Sequence, residues 1–275
     1  MILDLIPATI RMATPLALAA LGGVYSERSG VVNIALEGIM LMGAFGYAAG
    51  TAALSNPWLG LLVGVTLGSC MALIHAVASI TLRAEQIVSG VAVNMLALGV
   101  TEFFSRNATS QRVEGLPGFG GYAFLIFLTP LLIAASHVFI FKTVWGLRLC
   151  SAGESIEALD SLGVKRRSWQ YIGVMLSGVF AATGGSLLAA EAHYFTKGMT
   201  AGRGYIALAA VIFGKWKPAN AALACLLFGF ASALQLASGW RIPPQLLNSL
   251  PYLLTMVVLV SVIGRATPPA ALGKQ

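Results

Sequence analysis

The sequence predicts an all-α, polytopic transmembrane helix bundle of about nine spans, with eight to ten compatible with the pattern, and three observations predict it. Hydrophobic residues make up 57% of the chain and charged residues only 10%, against roughly 25% charged in an ordinary soluble domain. Mean hydropathy is +0.83, and the apolar content runs through all 275 residues instead of being confined to one anchor. Apolar stretches able to cross about 30 Å of hydrocarbon, which takes roughly 20 helical residues, recur from end to end. A single membrane domain over 1–275 follows.

The candidate spans are 4–24, 31–54, 57–82, 86–104, 119–141, 169–190, 205–214, 217–238 and 247–264. The first resembles a secretory leader in its apolar content. Its only early charges are Asp4 and Arg11, however, and no small-residue cleavage site ends it, so it reads as a span. The seventh, 205–214, is too short to cross alone and reads as a half-helix. Glycines recur four apart at Gly60, Gly64 and Gly68 and at Gly46 and Gly50, and pair at Gly22-Gly23 and Gly184-Gly185. Such spacing lets helix backbones approach closely in lipid.

Cytoplasmic loops collect Lys and Arg. With the loop 142–168 placed inside, the inner set is Arg28, Arg83, Lys142, Arg148, Lys165, Arg166, Arg167, Lys215, Lys217, Arg265 and Lys274. The outer set is Arg106, Arg112, Lys197, Arg203 and Arg241, and Arg11 falls within the first span. Eleven against five predicts an outside N-terminus and an inside C-terminus. The net charge of +7, which in a soluble protein would suggest nucleic acid, is explained by these loops lying against anionic lipid. The end, 266–275, carries Pro268-Pro269 and reads as a disordered tail.

The cytoplasmic loop 142–168 is the longest polar stretch and has an internal pattern. Ser151 and Glu154 have the S-x-x-E spacing of a capping box, which would start a helix there. Glu154, Glu157 and Asp160 then interleave with Ile156, Leu159 and Leu162, and Gly163 is placed to end the helix. Its apolar face needs a partner. Lipid headgroups favour a basic polar face, and this one is acidic, so a protein groove is the better match, with the chain's own bundle as the alternative.

Polar residues inside spans mark paths or helix ties, because an intramembrane carboxylate costs a few kcal/mol and faces a cavity or a partner. Asn33 and Glu37, four apart on one helical face, stand in the second span; Ser89, Asn94 and Glu102 stand in the fourth, and Thr183 and Ser186 in the sixth. Together these groups could hydrogen-bond a hydroxylated or heterocyclic solute; the alternative for Asn33 and Glu37 is tying helices together or capping a broken one near the cytoplasmic boundary. His75 and His137 lack a nearby carboxylate in sequence and read as packed histidines, and His193 lies in an outer loop beside Glu191. Cys70, Cys150 and Cys225 have no metal-like spacing, so neither metal nor disulfide is expected.

The chain contains no G-x-x-x-x-G-K-[ST], no H-E-x-x-H and no G-x-S-x-G. It is read as a transport protein, not an enzyme, with no cofactor of its own.

Three strings carry a family resemblance: 23–38 (GVYSERSGVVNIALEG), Gly90 to Asn94 followed by Leu98-Gly99, and 202–218 (GRGYIALAAVIFGKWKP). They resemble the ATP-binding-cassette permeases of the ribose and branched-chain amino acid type, in particular the simple sugar and nucleoside importer subgroup. The resemblance implies a multi-pass subunit of the bacterial inner, or plasma, membrane. It also implies cytoplasmic ATPase subunits holding ATP and Mg, a second homologous permease completing the pore, and an external solute-binding lipoprotein.

In that family the segment between the middle spans is an ATPase-coupling helix with a pattern close to G-E-N-P-x-A-A-x-x-x-G-I. Gly153, Glu154, Ser155, Ile156, Glu157, Ala158, Leu159, Asp160 and Gly163 resemble it, with Ser155-Ile156 in place of Asn-Pro and Leu159 in place of the second Ala. In this reading Glu154, Glu157 and Asp160 meet basic groups on the ATPase, Ile156 and Leu159 fill its groove, and Asn33, Glu37 and Asn94 line the path. The rival is an ion-coupled secondary transporter in which Glu37 takes up a proton.

Overall fold

The computed structural model describes residues 2–105, 123–161, 163–237, 253 and 267–274, and every regular element among them is helical. In order these are α1 (Ile2–Arg28), α2 (Leu36–Leu54), α3 (Pro57–Ala76), α4 (Gln86–Ser105), α5 (Ala123–Lys142), α6 (Val144–Glu154), α7 (Ile156–Ser161), α8 (Arg166–Ala192), α9 (Arg203–Phe213) and α10 (Pro218–Ala237). A turn of π-helix, Val77–Thr81, extends α3. Six helices among the described residues are long and apolar enough to cross a membrane: Leu5–Arg28, Pro57–Thr81, Gln86–Ser105, Ala123–Lys142, Arg166–Ala192 and Pro218–Gln235. The eleven residues of α9 extend about 16 Å at 1.5 Å per residue, half of a hydrocarbon core. The expected span 247–264 lies outside the described residues, apart from 253.

The packing is centred on α1, α2 and α8: α1 lies against α8 and α10, while α2 and α3 lie against each other and against α8. Small residues decide how close these axes come. A Cβ added to Gly185 of α8 would run into the backbone carbonyl of Met40 in α2, and one on Gly43 would run into that of Ala182. Gly64, at the centre of the glycine series of α3, faces Ser186 Oγ and the Gly43 carbonyl at 2.5 and 2.6 Å from such a Cβ. The close approach gives the dispersion contacts that hold helices together when lipid is as apolar as the side chains.

The second span departs from expectation at its start. Residues 31–35 are not α-helical, and α2 begins only at Leu36. Backbone without a helical partner is tolerated at depth only where protein satisfies it. Four side chains do so: Ser26 Oγ donates to Val31 O (2.8 Å), Gln86 Oε1 accepts from Val32 N (2.7 Å), Asn94 Nδ2 donates to Ile34 O (3.0 Å), and His75 Nε2 meets Val32 O (3.1 Å).

Two further expectations are corrected. Ser151 starts no helix: it sits in the last turn of α6, bonded back to Leu147 O, and the N-cap is Thr143, whose hydroxyl accepts from Gly146 N. The tail is not loose over 267–274. Pro269 and Ala271 are buried there, and the backbone is hydrogen bonded to three other parts of the chain.

Candidate functional site

The sequence-selected residues Glu37 and Asn94 meet at one place. Glu37 lies in the first turn of α2 and turns its carboxylate toward the N-terminus of α9, where it accepts from Gly202 N at 2.8 Å and Gly204 N at 2.7 Å. The first N–H groups of a helix have no internal partners, and that end carries partial positive charge. The residue preceding α9, Gly202 (φ 82°), has no side chain to cap it, so Glu37 supplies the cap from 165 residues away. One carboxylate therefore serves the positive ends of two helices, its own and α9's. A Cβ on Gly204 would collide with the Glu37 backbone, which fixes why glycine stands there.

Asn94 of α4 completes the junction. Its Oδ1 accepts from Gly38 N (2.7 Å), and its Nδ2 donates to Ile34 O and to the Tyr205 hydroxyl, both at 3.0 Å. It thus bridges the non-helical segment, the start of α2 and the start of α9. Tyr205 is 47% exposed, and the α4 residues Val91, Met95 and Leu98 are exposed as well. Sequence inspection missed Tyr205, although its position two residues after Arg203 in a half-helix is the available signal. Asn94→Leu removes partners from a backbone donor and acceptor at once, worth about 1–3 kcal/mol for each group left unpaired. The expected result is a clear drop in the thermal midpoint of the purified protein, and an unchanged midpoint counts against this bridging role.

Asn33 is fully buried, its Nδ2 donating to Ser177 Oγ of α8 (2.9 Å) while Oδ1 has no hydrogen-bond partner among the described residues. It ties the non-helical segment before α2 to α8 instead of sharing the Glu37–Asn94 junction. Ser89 bonds the buried His75 (3.0 Å), Ser186 bonds Gly43 O (3.1 Å), Thr183 bonds back to Val179 O, and Glu102 pairs with Lys197 at 3.0 Å on an exposed surface. Ion pairs that sequence could not link are Arg11–Glu191 (2.8 Å), which joins α1 to α8, and Arg28–Glu154 (3.6 Å). At the end of α1, buried Glu27 accepts from Trp216 Nε1, and Arg28 donates to Trp216 O (3.0 Å).

On the loop 142–168, α6 ends at Glu154 and α7 follows after one extended residue, Ser155 (φ −145°, ψ 108°). Glu157 is exposed, and Gly163 adopts φ 66°. Leu159 does not face outward. It is fully buried in the chain's own core, so it is unavailable to fill a partner's groove in this conformation. Glu154 likewise turns to Arg28 and Ala270 of its own chain. The side chains of Ile156, Ala158 and Asp160 lie outside the described residues. Burial pushes the Cys150 thiol up, with the carboxylate of Glu154 adding to and the guanidinium of Arg28 opposing that rise.

An apolar cleft of about 620 Å³ lies between α1, α5 and α10, with Thr14, Thr129 and His137 as its polar lining. Both threonine hydroxyls bond back into their own helices. The cleft suits hydrocarbon and has few groups to orient a polar solute. Among the described residues no cluster of His, Cys, Asp or Glu could hold a metal, and the three cysteines are free.

Residues 5–263 match the family model described as branched-chain amino acid transport system / permease component. The guanosine ABC transporter permease protein NupQ of Bacillus subtilis is 43% identical, over 98% of this chain and 95% of its own length. The nucleoside ABC transporter permease protein NupC of Lactococcus lactis is 38% identical over 95% of this chain and 92% of its own. Among solved structures, an inward-facing ABC transporter of the metal-chelate type has the same fold, with a TM-score of 0.60 at 16% identity over 94% of this chain and 86% of that one. The chain therefore belongs to the branched-chain amino acid transport system permease component family, as a multi-pass membrane subunit of an ABC transporter whose ATP hydrolysis lies on a separate subunit.

Proposed function

We propose that this chain is one of two permeases of an importer that carries a nucleoside, with a simple sugar as the next cargo class, from an external binding protein into the cell. The observation that carries the cargo is the 43% identity to a guanosine permease along nearly the whole chain. In support, the Glu37–Asn94–Tyr205 junction offers a carboxylate, an amide and an exposed phenol ring, groups suited to hydroxyls and to a heterocycle.

The face of α4 and α9 that carries this junction is the proposed path and second-permease surface. Val88, Met95 and Leu98 of α4 are more than half exposed, yet the Glu102–Lys197 ion pair lies on an exposed surface at the end of the same helix. Charges within a membrane protein turn to water or protein in preference to lipid. With the N-terminus outside, α9 runs from mid-depth to the cytoplasmic side, which places its N-terminus and Glu37 near the middle of the path. The segment Gly153–Gly163 couples to the ATPase through exposed Glu157, with Leu159 anchoring α7 to the bundle.

The test is reconstitution with the ATPase, the second permease and the binding protein, followed by uptake of radiolabelled guanosine. Uptake is expected to require ATP and to vanish when Mg is chelated. Uptake that survives without the ATPase and collapses with the proton gradient overturns the proposal in favour of a secondary transporter.

A further inference from the structure

Residues 267–274 are tied to three separate parts of the cytoplasmic side. Ala271 N donates to Gly153 O (2.7 Å) and Ala270 N to Glu154 Oε2 (3.2 Å), both at the end of α6. Gly273 N donates to Gly30 O (3.2 Å) in the turn between α1 and α2. Lys274 O accepts from Arg166 Nη2 (2.8 Å) at the start of α8, and the same guanidinium donates through Nε to Ala152 O (3.2 Å). Ala271 is 5% exposed, and Leu272 packs against the main core.

The seat is built for close backbone approach. Gly30 holds φ 91°, a conformation that side chains rarely adopt, and a Cβ there would lie 3.1 Å from Gly153 Cα and 3.5 Å from Ala271 O. A Cβ on Gly153 would strike the Arg28 carbonyl. The α1–α2 turn, the α6 end and the tail therefore meet backbone to backbone at Gly30, Gly153 and Ala271.

The position of this seat gives it a consequence. The chain breaks helix at Ser155, between α6 and α7, and α8 begins beyond α7 at Arg166. The tail bonds residues on both flanks of α7, Gly153 and Glu154 before it and Arg166 after it. Within α7, Leu159 is the described anchor to the core. A force on α7 reaches the bundle through Leu159 and through these flanks, and the flanks transmit it as far as they stay in register with the α1–α2 turn.

We propose that Thr267–Lys274 is a positioning strap, which clamps both flanks of α7 to the α1–α2 turn and so sets how much transport each ATP hydrolysis produces. The proposal rests on the reading of Gly153–Gly163 as the ATPase-coupling segment. Loosening the strap lets α7 move without its flanks carrying the bundle along.

The experiment uses the full reconstituted complex and reads guanosine transported per ATP hydrolysed. Two variants are compared with the unaltered chain: one ending after residue 266, and Ala271→Pro, which removes a single N–H donor and leaves the rest of the tail. The ratio is expected to fall about tenfold in the truncated chain, which loses the bonds of Ala270, Ala271, Gly273 and Lys274 together, and by less in Ala271→Pro, which loses one. ATP hydrolysis per complex stays at or above its starting level. A ratio unchanged in both variants overturns the strap. Lower stability alone removes complexes and leaves the ratio per intact complex untouched, so a purely structural tail also appears as an unchanged ratio. Glu157→Cys cross-linking to the ATPase, in an otherwise unaltered complex, tests the underlying reading by itself. No cross-link sinks the coupling segment and the strap with it, whereas a cross-link with an unchanged ratio sinks the strap alone.

Discussion

Glu37→Ala is expected to reduce uptake to near background and to lower the thermal midpoint of the complex, because it strips the cap from α9. The carboxylate makes two charge-assisted bonds to Gly202 N and Gly204 N. Such bonds contribute about 1.5–3 kcal/mol each. The favourable placement of negative charge at a helix N-terminus adds about 0.3–1 kcal/mol. Replacements should rank by what they can accept. Glu37→Gln keeps one carbonyl oxygen and falls between the unaltered protein and Glu37→Ala, with its amide N–H₂ facing a backbone donor. A proton-carrying role predicts otherwise: Glu37→Gln would then abolish coupling as fully as Glu37→Ala while leaving thermal stability intact. Uptake at several pH values together with thermal melts separates the two.

Gly185→Val should prevent recovery of a monodisperse protein. The would-be Cβ meets the carbonyl, carbon and Cα of Met40, all backbone, so no side-chain rotamer relieves the clash. Overpacking in a closely packed core costs about 1–3 kcal/mol when side chains can shift, and here the α2 axis itself must move. The displacement would spread to the α2–α3 contact at Gly43 and Gly64. Gly99→Ala is the matched control, since nothing lies within 4 Å of its added methyl. Helix propensity there favours alanine by about 1 kcal/mol. Size-exclusion profiles of the two variants decide the matter, and a normal profile for Gly185→Val refutes the packing argument.

Hydropathy made the helical class legible because span length follows from bilayer thickness, and the half-helix over 205–214 was readable from its shortness alone. Glycine spacing likewise pointed to real close approaches, at Gly64 and Gly185. The non-helical start at 31–35 was not readable. Val31, Val32 and Ile34 are as apolar as any span, and the side chains that satisfy the backbone of Val32 and Ile34 come from Gln86, Asn94 and His75, 43 to 60 residues away. The S-x-x-E motif misled because the same spacing fits the last turn of a helix as well as the first, and Thr143 had already started α6. The apolar stripe of α7 showed that Leu159 needs a partner without showing which one. Proline content made the tail look unstructured, since composition says nothing of backbone donors that find acceptors on Gly153 and Gly30. Asn33, Glu37 and Asn94 stand out in the sequence as polar groups within apolar spans, but their pairings with Ser177, Gly202 and Tyr205 depend on tertiary contacts.

Four amide protons at the broken helices, those of Val32, Gly38, Gly202 and Gly204, are held by side-chain oxygens of Gln86, Asn94 and Glu37. Side chains can let go while every helix stays intact. These amides should therefore exchange with deuterated solvent whenever the junction opens, at a pace unrelated to global unfolding. Turnover conditions should accelerate all four together and leave neighbouring amides within α2 and α9 slow. The junction thus provides an internal timer for the transport cycle, read site by site without any label attached to the protein.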